Sequence, residues 1–191
     1  MIYIKLNKKD QYIFTSERLG FRNWNHMDLE ELVELNSDEM VMEHFPKTLT
    51  EKEVGELIKS LKKHFTLNGF TYYATEIKET GTFVGMIGLA LQEYKTAYTP
   101  AIDIGWRLKR SAWGRGYATE GAKRCLEFAF NELALNKIIS VCTIQNRKSE
   151  NVMRKIGMKK IGEFNHPNMI HHPDYEKHLC YEISKNPKNL N

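Results

Sequence analysis

A glycine-containing turn between a strand and a helix is the feature that most limits how this chain can fold. Alternate residues of "AIDIGWRL" are apolar from Ile102 to Leu108, which is the pattern of a strand with one buried face. The next residues place Gly114 and Gly116 at the start of an amphipathic helix that runs to about Leu133. The continuous apolar segment "KIISVCTI" follows as another strand. The pattern predicts a strand–helix–strand unit whose helix begins at the glycines.

Glycine is favoured where φ is positive or where another group approaches the backbone closely. At a helix N-terminus the N–H groups and the helix dipole favour an anion such as phosphate. A P-loop requires Lys-Ser/Thr after its last glycine, but Tyr117-Ala118 stands there, and a dinucleotide-binding fingerprint requires a third glycine where Thr119 stands. Both of those sites are excluded. Two interpretations of the glycines remain. Either they bind the phosphate of some other ligand, or they only allow the chain to make a tight turn.

The other segments predict a mixed sheet with helices on both faces, forming a single domain over residues 1–191. Asn25 is predicted to cap one helix, and Thr50 with Glu53 forms a capping box for a second. A turn at Gly81 joins two β-rich runs into a hairpin. "QNRKSENVMRKIG" predicts a short helix, and the remaining predicted strands are "MIYIKL", "YIFTSERLGFRNW", "MKKIGEF" and "KHLCYEIS".

Composition narrows the classes of function. A net charge of +4 without a long basic run disfavours a nucleic-acid partner. The sequence contains neither a signal-peptide pattern nor an apolar stretch of membrane-spanning length, so no membrane partner is expected. Cys125, Cys142 and Cys180 are odd in number and lie in apolar runs, which predicts reduced thiols and a cytoplasmic location.

From Asp103 to Phe164 the chain resembles the GNAT superfamily of acetyl-coenzyme A-dependent N-acetyltransferases. "WGRGYATEGAKRCLEFAF" is similar to the pyrophosphate-binding turn and helix of that family, and "NRKSENVMRKIGMKKIGEF" is similar to the segment that follows it. "ERLGFRNWNHMDLEEL", "EIKETGTFVGMIGL" and "IGWRL" extend the likeness to the RimJ/RimL-like branch, from Glu17 to Ile183.

The resemblance implies an α/β fold with a twisted, mostly antiparallel mixed sheet of about six to seven strands. Coenzyme A is then expected in a V-shaped cleft between two splayed parallel strands, here "AIDIGWRL" and "KIISVCTI". Backbone groups of one strand would pair with the pantetheine, the glycine turn would hold the pyrophosphate, and the next helix would flank the thioester and the outer parts of the cofactor. The implied cofactor residues are Trp106, Arg107, Leu108, Arg110, Gly114, Arg115, Gly116, Tyr117, Ala118, Thr119, Asn146, Ser149, Asn151 and Arg154.

Two positions depart from the family pattern. Ser111 stands where Gln or Arg usually precedes the glycines, so the adjacent Arg110 is a substitute, or the position does not bind. Met153 occupies the position at which many members carry a tyrosine that protonates the leaving thiolate, and methionine has no proton to donate. A serine or a water is then the expected donor, which indicates Ser149.

Amine acylation also requires donors for the developing oxyanion and an acceptor for the proton of the amine. A backbone N–H near Gly105–Trp106 is the expected oxyanion donor, and Asn146 is expected beside the thioester. Asp103 is the candidate base because it shares a strand face with Gly105 and Arg107. The alternative is an ordinary polar residue of the sheet that pairs with Arg107 or another cation. Glu43 and Glu76 are weaker candidates.

The acceptor is expected to be a small-molecule or peptide amine, bound by a monomer or a homodimer. The residues predicted to contact it are Glu43, Phe45, His166 and Tyr175. The histidine-rich loop "NHPNMIHHPDYEKH" has no zinc-type spacing, so no metal is expected. A catalytically silent coenzyme A-binding module is the alternative, and it is motivated by Met153.

Overall fold

The computed structural model describes residues 11–185, and the predicted strand "MIYIKL" lies outside them. The strands are β1 (Phe14–Thr15), β2 (Leu19–Arg22), β3 (Tyr72–Ile77), β4 (Phe83–Thr96), β5 (Thr99–Leu108), β6 (Lys137–Thr143), β7 (Lys159–Asn165) and β8 (Lys177–Ser184). The α-helices are α1 (Leu29–Ser37), α2 (Glu51–Asn68), α3 (Tyr117–Asn131), α4 (Arg147–Lys155) and α5 (Pro173–Glu176). Short 3₁₀ turns cover His26–Asp28, Arg110–Ala112 and Pro167–Met169.

All eight strands form one mixed sheet in the order β1-β2-β3-β4-β5-β6-β8-β7. Neighbouring strands are antiparallel except for β5 and β6, which run parallel and are connected through α3. The predicted mixed, mostly antiparallel sheet is confirmed, with eight strands where six to seven were expected. The last strand, β8, inserts between β6 and β7. That insertion places β8 beside β6 and one strand in from the β7 edge of the sheet.

Helices cover both faces of the sheet, as predicted. On one face, apolar residues of α3 and α4 pack on the sheet, and Cys125, Phe128 and Met153 are buried there. On the other face, α1 and α2 pack through Leu32 and Val54 in a second core cluster. Each helix therefore buries one apolar stripe against the central layer.

The helix and hairpin signals of the sequence correspond to local hydrogen bonds. Thr50 and Glu53 form the predicted capping box at the start of α2. Asn25 caps the 3₁₀ turn that precedes α1, rather than α1 itself. Gly81, with φ of 73°, lies in the turn that joins β3 and β4.

The three cysteines are buried and none forms a disulfide. In the described part of the chain, no helix combines the length and the apolar character needed to cross a bilayer.

Candidate functional site

A cleft opens where β5 and β6 separate. The two strands share one registered pair, Asp103 with Ile139, and the Ser140 hydroxyl donates to the carbonyl of Ile104 at 2.8 Å. Beyond this point β5 continues to Leu108 while remaining paired with β4 on its other edge. The edge of β5 from Gly105 onward therefore presents backbone groups to the cleft instead of to a neighbouring strand. An extended ligand can pair with such an edge as an added strand does.

The glycine turn lies at the N-terminus of α3, beside the open edge of β5. Gly114 and Gly116 have φ of 72° and 80°, in the left-handed region that L-residues avoid. Gly116 is the N-cap residue and supplies no side chain, so the first N–H groups of α3 remain available to a ligand. Trp113 anchors the turn because its indole N–H donates to the carbonyl of Leu108 at 2.9 Å. This geometry is that of an anion site.

The cleft encloses about 740 Å³. One end, called the glycine end, is formed by the segment 113–119 and the start of α4. The other, called the polar end, is formed by side chains that include Asp103, Arg107, Thr143, His166 and His178. Most residues proposed from the sequence line the cleft: Glu43, Phe45, Asp103, Trp106, Arg107, Leu108, Gly114, Gly116, Tyr117, Ala118, Thr119, Asn146, Ser149, His166 and Tyr175.

Five of the proposed residues lie outside the cleft lining. Arg110 is exposed and pairs with Asp38 at 2.6 Å. Glu76, a weaker base candidate, lies instead in an ion-pair network with Arg22. The remaining three are Arg115, whose Nε donates to the Ser111 carbonyl, the exposed Asn151, and Arg154, which pairs with Glu150. Glu76 is too far from the cleft to act as the base, and the others can contact only the outer part of a ligand.

Asp103 is buried at the polar end, where β5 and β6 begin to separate. Its Oδ1 accepts hydrogen bonds from the Tyr72 hydroxyl at 2.6 Å and from the Gln92 amide at 3.1 Å. Burial raises the pKa of Asp103 to about 6, although both donors act in the opposite direction. Tyr72 reaches Asp103 because Gly105 has no side chain: a Cβ there would lie 3.0 Å from the tyrosine ring.

The start of α4 forms the wall of the cleft that faces the glycine turn. The side-chain oxygen of Asn146 accepts from the Ser149 N–H at 3.0 Å, so this asparagine caps the helix. Ser149 and Met153 both line the cleft, and Met153 has 1% of its surface exposed. Glu150 fixes the helix to β8 by accepting from the Tyr181 hydroxyl at 2.7 Å.

Two histidines lie together at the polar end. The ring centres of His166 and His178 are 4.9 Å apart, and burial lowers both pKa values, that of His166 to about 4. His178 Nδ1 lies 3.0 Å from the carbonyl of Glu176. A carbonyl only accepts, so Nδ1 carries the proton and Nε2 is left as an acceptor. Both rings are neutral at pH 7.

Among the described residues, three of the four buried side-chain polar atoms without a hydrogen-bond partner lie at or beside the polar end. Arg107 Nε and Thr143 Oγ1 belong to residues that line the cleft. The Tyr94 hydroxyl is a third such atom, and its ring lies 4.3 Å from that of His166. Buried polar groups are normally paired, so this concentration indicates a place where a polar ligand binds.

Sequence reasoning missed several lining or supporting residues, among them Tyr72, Gln92, Thr143 and His178. Tyr72 and Gln92 lie in strands with no motif of their own, and only strand pairing places them beside Asp103. His178 belongs to the histidine-rich segment, which was the one available signal. Among residues 11–185, no group of three or more His, Cys, Asp or Glu side chains has the arrangement of a metal site.

Comparison with known proteins identifies the family to which most of the chain belongs. The family described as "Acetyltransferase (GNAT) domain" matches residues 18–159. The protein named "Uncharacterized N-acetyltransferase YnaD" from Bacillus subtilis is 29% identical over 150 residues, covering 78% of this chain and 84% of that protein.

Solved structures agree on the fold. The acetyltransferase (GNAT family) from Bacillus anthracis superposes with a TM-score of 0.73 at 28% identity, covering 89% of this chain and 96% of the other. Spermidine N-acetyltransferase from Vibrio cholerae, solved with CoA and spermine, gives a TM-score of 0.67 at 19% identity and covers 87% and 95%. The second likeness supports the fold alone.

Proposed function

Because this chain belongs to the GNAT acetyltransferase family and is an acetyl-CoA-dependent acyltransferase, we propose that it acetylates a primary amine by direct attack in a ternary complex. The amine is a protein N-terminus or a small molecule, and the likeness to the RimJ/RimL-like branch is part of this proposal. The observation that carries it is the separation of β5 from β6 immediately beside the glycine turn. The two features together form a backbone-lined groove that ends at a helix N-terminus.

The residues of the cleft fit the cofactor. The open edge of β5 from Gly105 to Leu108 offers backbone groups for the pantetheine amides, and the N–H groups of Gly114 to Thr119 offer a site for the pyrophosphate. Both glycines adopt positive φ, so the turn keeps its shape without a side chain that would fill the cradle. When bound, acetyl-CoA supplies an activated acetyl thioester.

The polar end supplies the groups that handle the amine. Asp103 is the proposed proton acceptor, directly or through a water, because its pKa of about 6 leaves it ionised at neutral pH. Backbone N–H groups near Gly105 and Trp106 are the proposed donors for the carbonyl oxygen. Tyr72 and Gln92 hold the carboxylate in place through its Oδ1.

Ser149 is the proposed proton donor on the leaving-group side. It lies in the first turn of α4 and lines the cleft, whereas Met153, which also lines it, has no proton to donate. The Asn146 side chain positions this turn by capping it. Asn146 therefore acts on Ser149 by holding the first turn of α4, because its side-chain Oδ1 accepts the hydrogen bond from the Ser149 N–H.

A thiol-release assay with acetyl-CoA, run against amines, amino acids and N-terminal peptides, tests the proposal when combined with calorimetric titration of coenzyme A. Release that depends on an added amine is the expected result. Cofactor binding without release for any acceptor would favour the silent coenzyme A-binding module that Met153 suggests. Absence of cofactor binding would contradict the interpretation of the glycine turn.

A further inference from the structure

Arg107 lines the cleft as a partly buried cation without a negative partner among the described residues, whereas the cleft lysines Lys148 and Lys155 are exposed. It forms no ion pair with any carboxylate in the described residues. Six other arginines of the chain pair with a carboxylate: Arg18, Arg22, Arg110, Arg124, Arg147 and Arg154. Burial without a counter-ion lowers the pKa of Arg107 to about 10, which leaves the guanidinium charged at neutral pH.

The groups around the guanidinium are neutral and hold it in one place. Nη1 donates to the side-chain oxygen of Asn36, which is fully buried and fixed by its own bond to the Leu32 carbonyl at 2.6 Å. The guanidinium lies over the ring of Phe45 at 4.1 Å. Nε is buried and has no hydrogen-bond partner in the part of the chain that the structure describes. A rigid cation with an unused donor is therefore present in the wall of the cleft.

The position of Arg107 assigns it to the acceptor rather than to the cofactor. Its side chain lies on the face of β5 that also carries Asp103 and Gly105, whereas Ile104 and Leu108 point into the core on the opposite face. With about 3.3 Å of rise per residue, Arg107 lies roughly 7 Å along the strand from Gly105 and roughly 13 Å from Asp103. The Arg107 side chain contacts Asn36 of α1 and Phe45, whereas α3, which begins at the glycine turn where the cofactor's phosphates are expected, packs on the opposite face of the sheet.

We propose that the acceptor is an amino carboxylate, such as a free amino acid, whose carboxylate binds the guanidinium of Arg107. Arginine presents donors in a planar fork that matches a carboxylate, and a carboxylate would supply both the missing charge and the missing partner of Nε. The amine of the same molecule then lies toward Gly105 and Asp103. This inference rests on the proposed acetyltransferase activity and narrows its substrate class.

The test compares amino acids with their own carboxamides, which keep the amine and the side chain but lack the negative charge. In the thiol-release assay, we consider the amino acid that is turned over fastest and its carboxamide. The kcat/KM of that acid is expected to be at least ten times the kcat/KM of its amide. Arg107→Gln is expected to remove that preference, so that the ratio of kcat/KM for the acid to kcat/KM for the amide falls from at least tenfold to about one. Arg124→Gln, which deletes a charge paired with Glu132 outside the cleft, is the matched control and is expected to keep the preference.

Calorimetric titration of the same acids and amides into the protein with coenzyme A makes the comparison without turnover. Binding of acids that disappears in Arg107→Gln is the expected result. Equal turnover or equal binding of acids and amides by the wild-type protein would overturn the inference while leaving the acetyltransferase activity intact. If Arg107→Gln lost turnover or binding of acids and of amides to the same extent, the inference would also be overturned. That result would show that Arg107 only supports the Phe45 segment. A third outcome is that no amine is turned over, while acids bind to the wild-type protein but not to Arg107→Gln. In that case the proposed acetyltransferase activity is wrong and the carboxylate site at Arg107 is confirmed.

Discussion

The two ends of the cleft are built from different parts of the chain. The glycine end uses backbone N–H groups and one continuous segment, residues 113–119, together with the first turn of α4. The polar end uses side chains from β5, β6, β8 and the segment before α2, including Asp103, Arg107, Thr143 and His178. A backbone site binds a group that all substrates share, whereas a side-chain site can vary with the acceptor. The contrast shows why the family is evident from the sequence but the acceptor is not.

The largest effect should come from the polar end. Asp103→Asn keeps the shape of the residue but removes the proposed base, and kcat is expected to fall about 100-fold or more. Affinity for coenzyme A should change little, because Asp103 lies away from the glycine turn. Steady-state kinetics and calorimetry on the same preparation measure the two quantities. Should Asp103→Asn remain active while His178→Gln does not, the free Nε2 of His178 would be the base instead.

At the glycine end, Gly116→Ala is expected to weaken coenzyme A binding about tenfold or more, because the residue has φ of 80° and an added Cβ strains the cradle. Gly81→Ala is the matched control: Gly81 has φ of 73° and open space around it, but it lies in the β3–β4 turn. Both variants should lose similar stability on thermal unfolding. Equal cofactor affinities in the two variants would show that Gly116 only shapes a turn.

Ser149→Ala tests the boundary between the two ends. Removing the proposed proton donor is expected to lower kcat about tenfold and to leave the dissociation constant of coenzyme A within about twofold. Ser149→Cys, which retains a proton donor, should recover part of the activity. Equal losses in turnover and cofactor affinity would assign Ser149 to cofactor binding alone.

The smallest effect concerns pH. Activity should rise as pH increases through about 6, where Asp103 loses its proton. The Tyr72 hydroxyl stabilises the ionised carboxylate, so Tyr72→Phe is expected to move this acidic limb of kcat/KM to higher pH. Tyr73→Phe is the control, since that hydroxyl is buried without a partner and does not contact Asp103. If the acidic limb of kcat/KM lay at the same pH in Tyr72→Phe as in the wild-type protein, Asp103 would not be the titrating group.

Local signals in the sequence anticipated much of the fold. The capping box at Thr50, the hairpin turn at Gly81 and the strand β5 are signalled by residues a few positions apart, and the structure contains each of them. The expectation of one buried face in β5 was incomplete, because Asp103 on its other face is buried too. The position of β8 depends on pairing between distant strands. It inserts between β6 and β7 and carries His178 to the cleft, and no local pattern in "KHLCYEIS" could indicate that.

By itself, the sequence determined the glycine turn, the strand that precedes it and the helix that follows it. These elements are specified by φ preferences, apolar periodicity and helix-end chemistry, all of which act over short distances. Only the tertiary structure decided which side chains surround Asp103 and that Arg107 has no counter-ion within residues 11–185. Tyr72 lies 31 residues from Asp103, and Asn36 lies 71 residues from Arg107. Burial and hydrogen bonding between such distant residues depend on how the sheet and the helices pack, so the polar end of the cleft exists only in the folded chain.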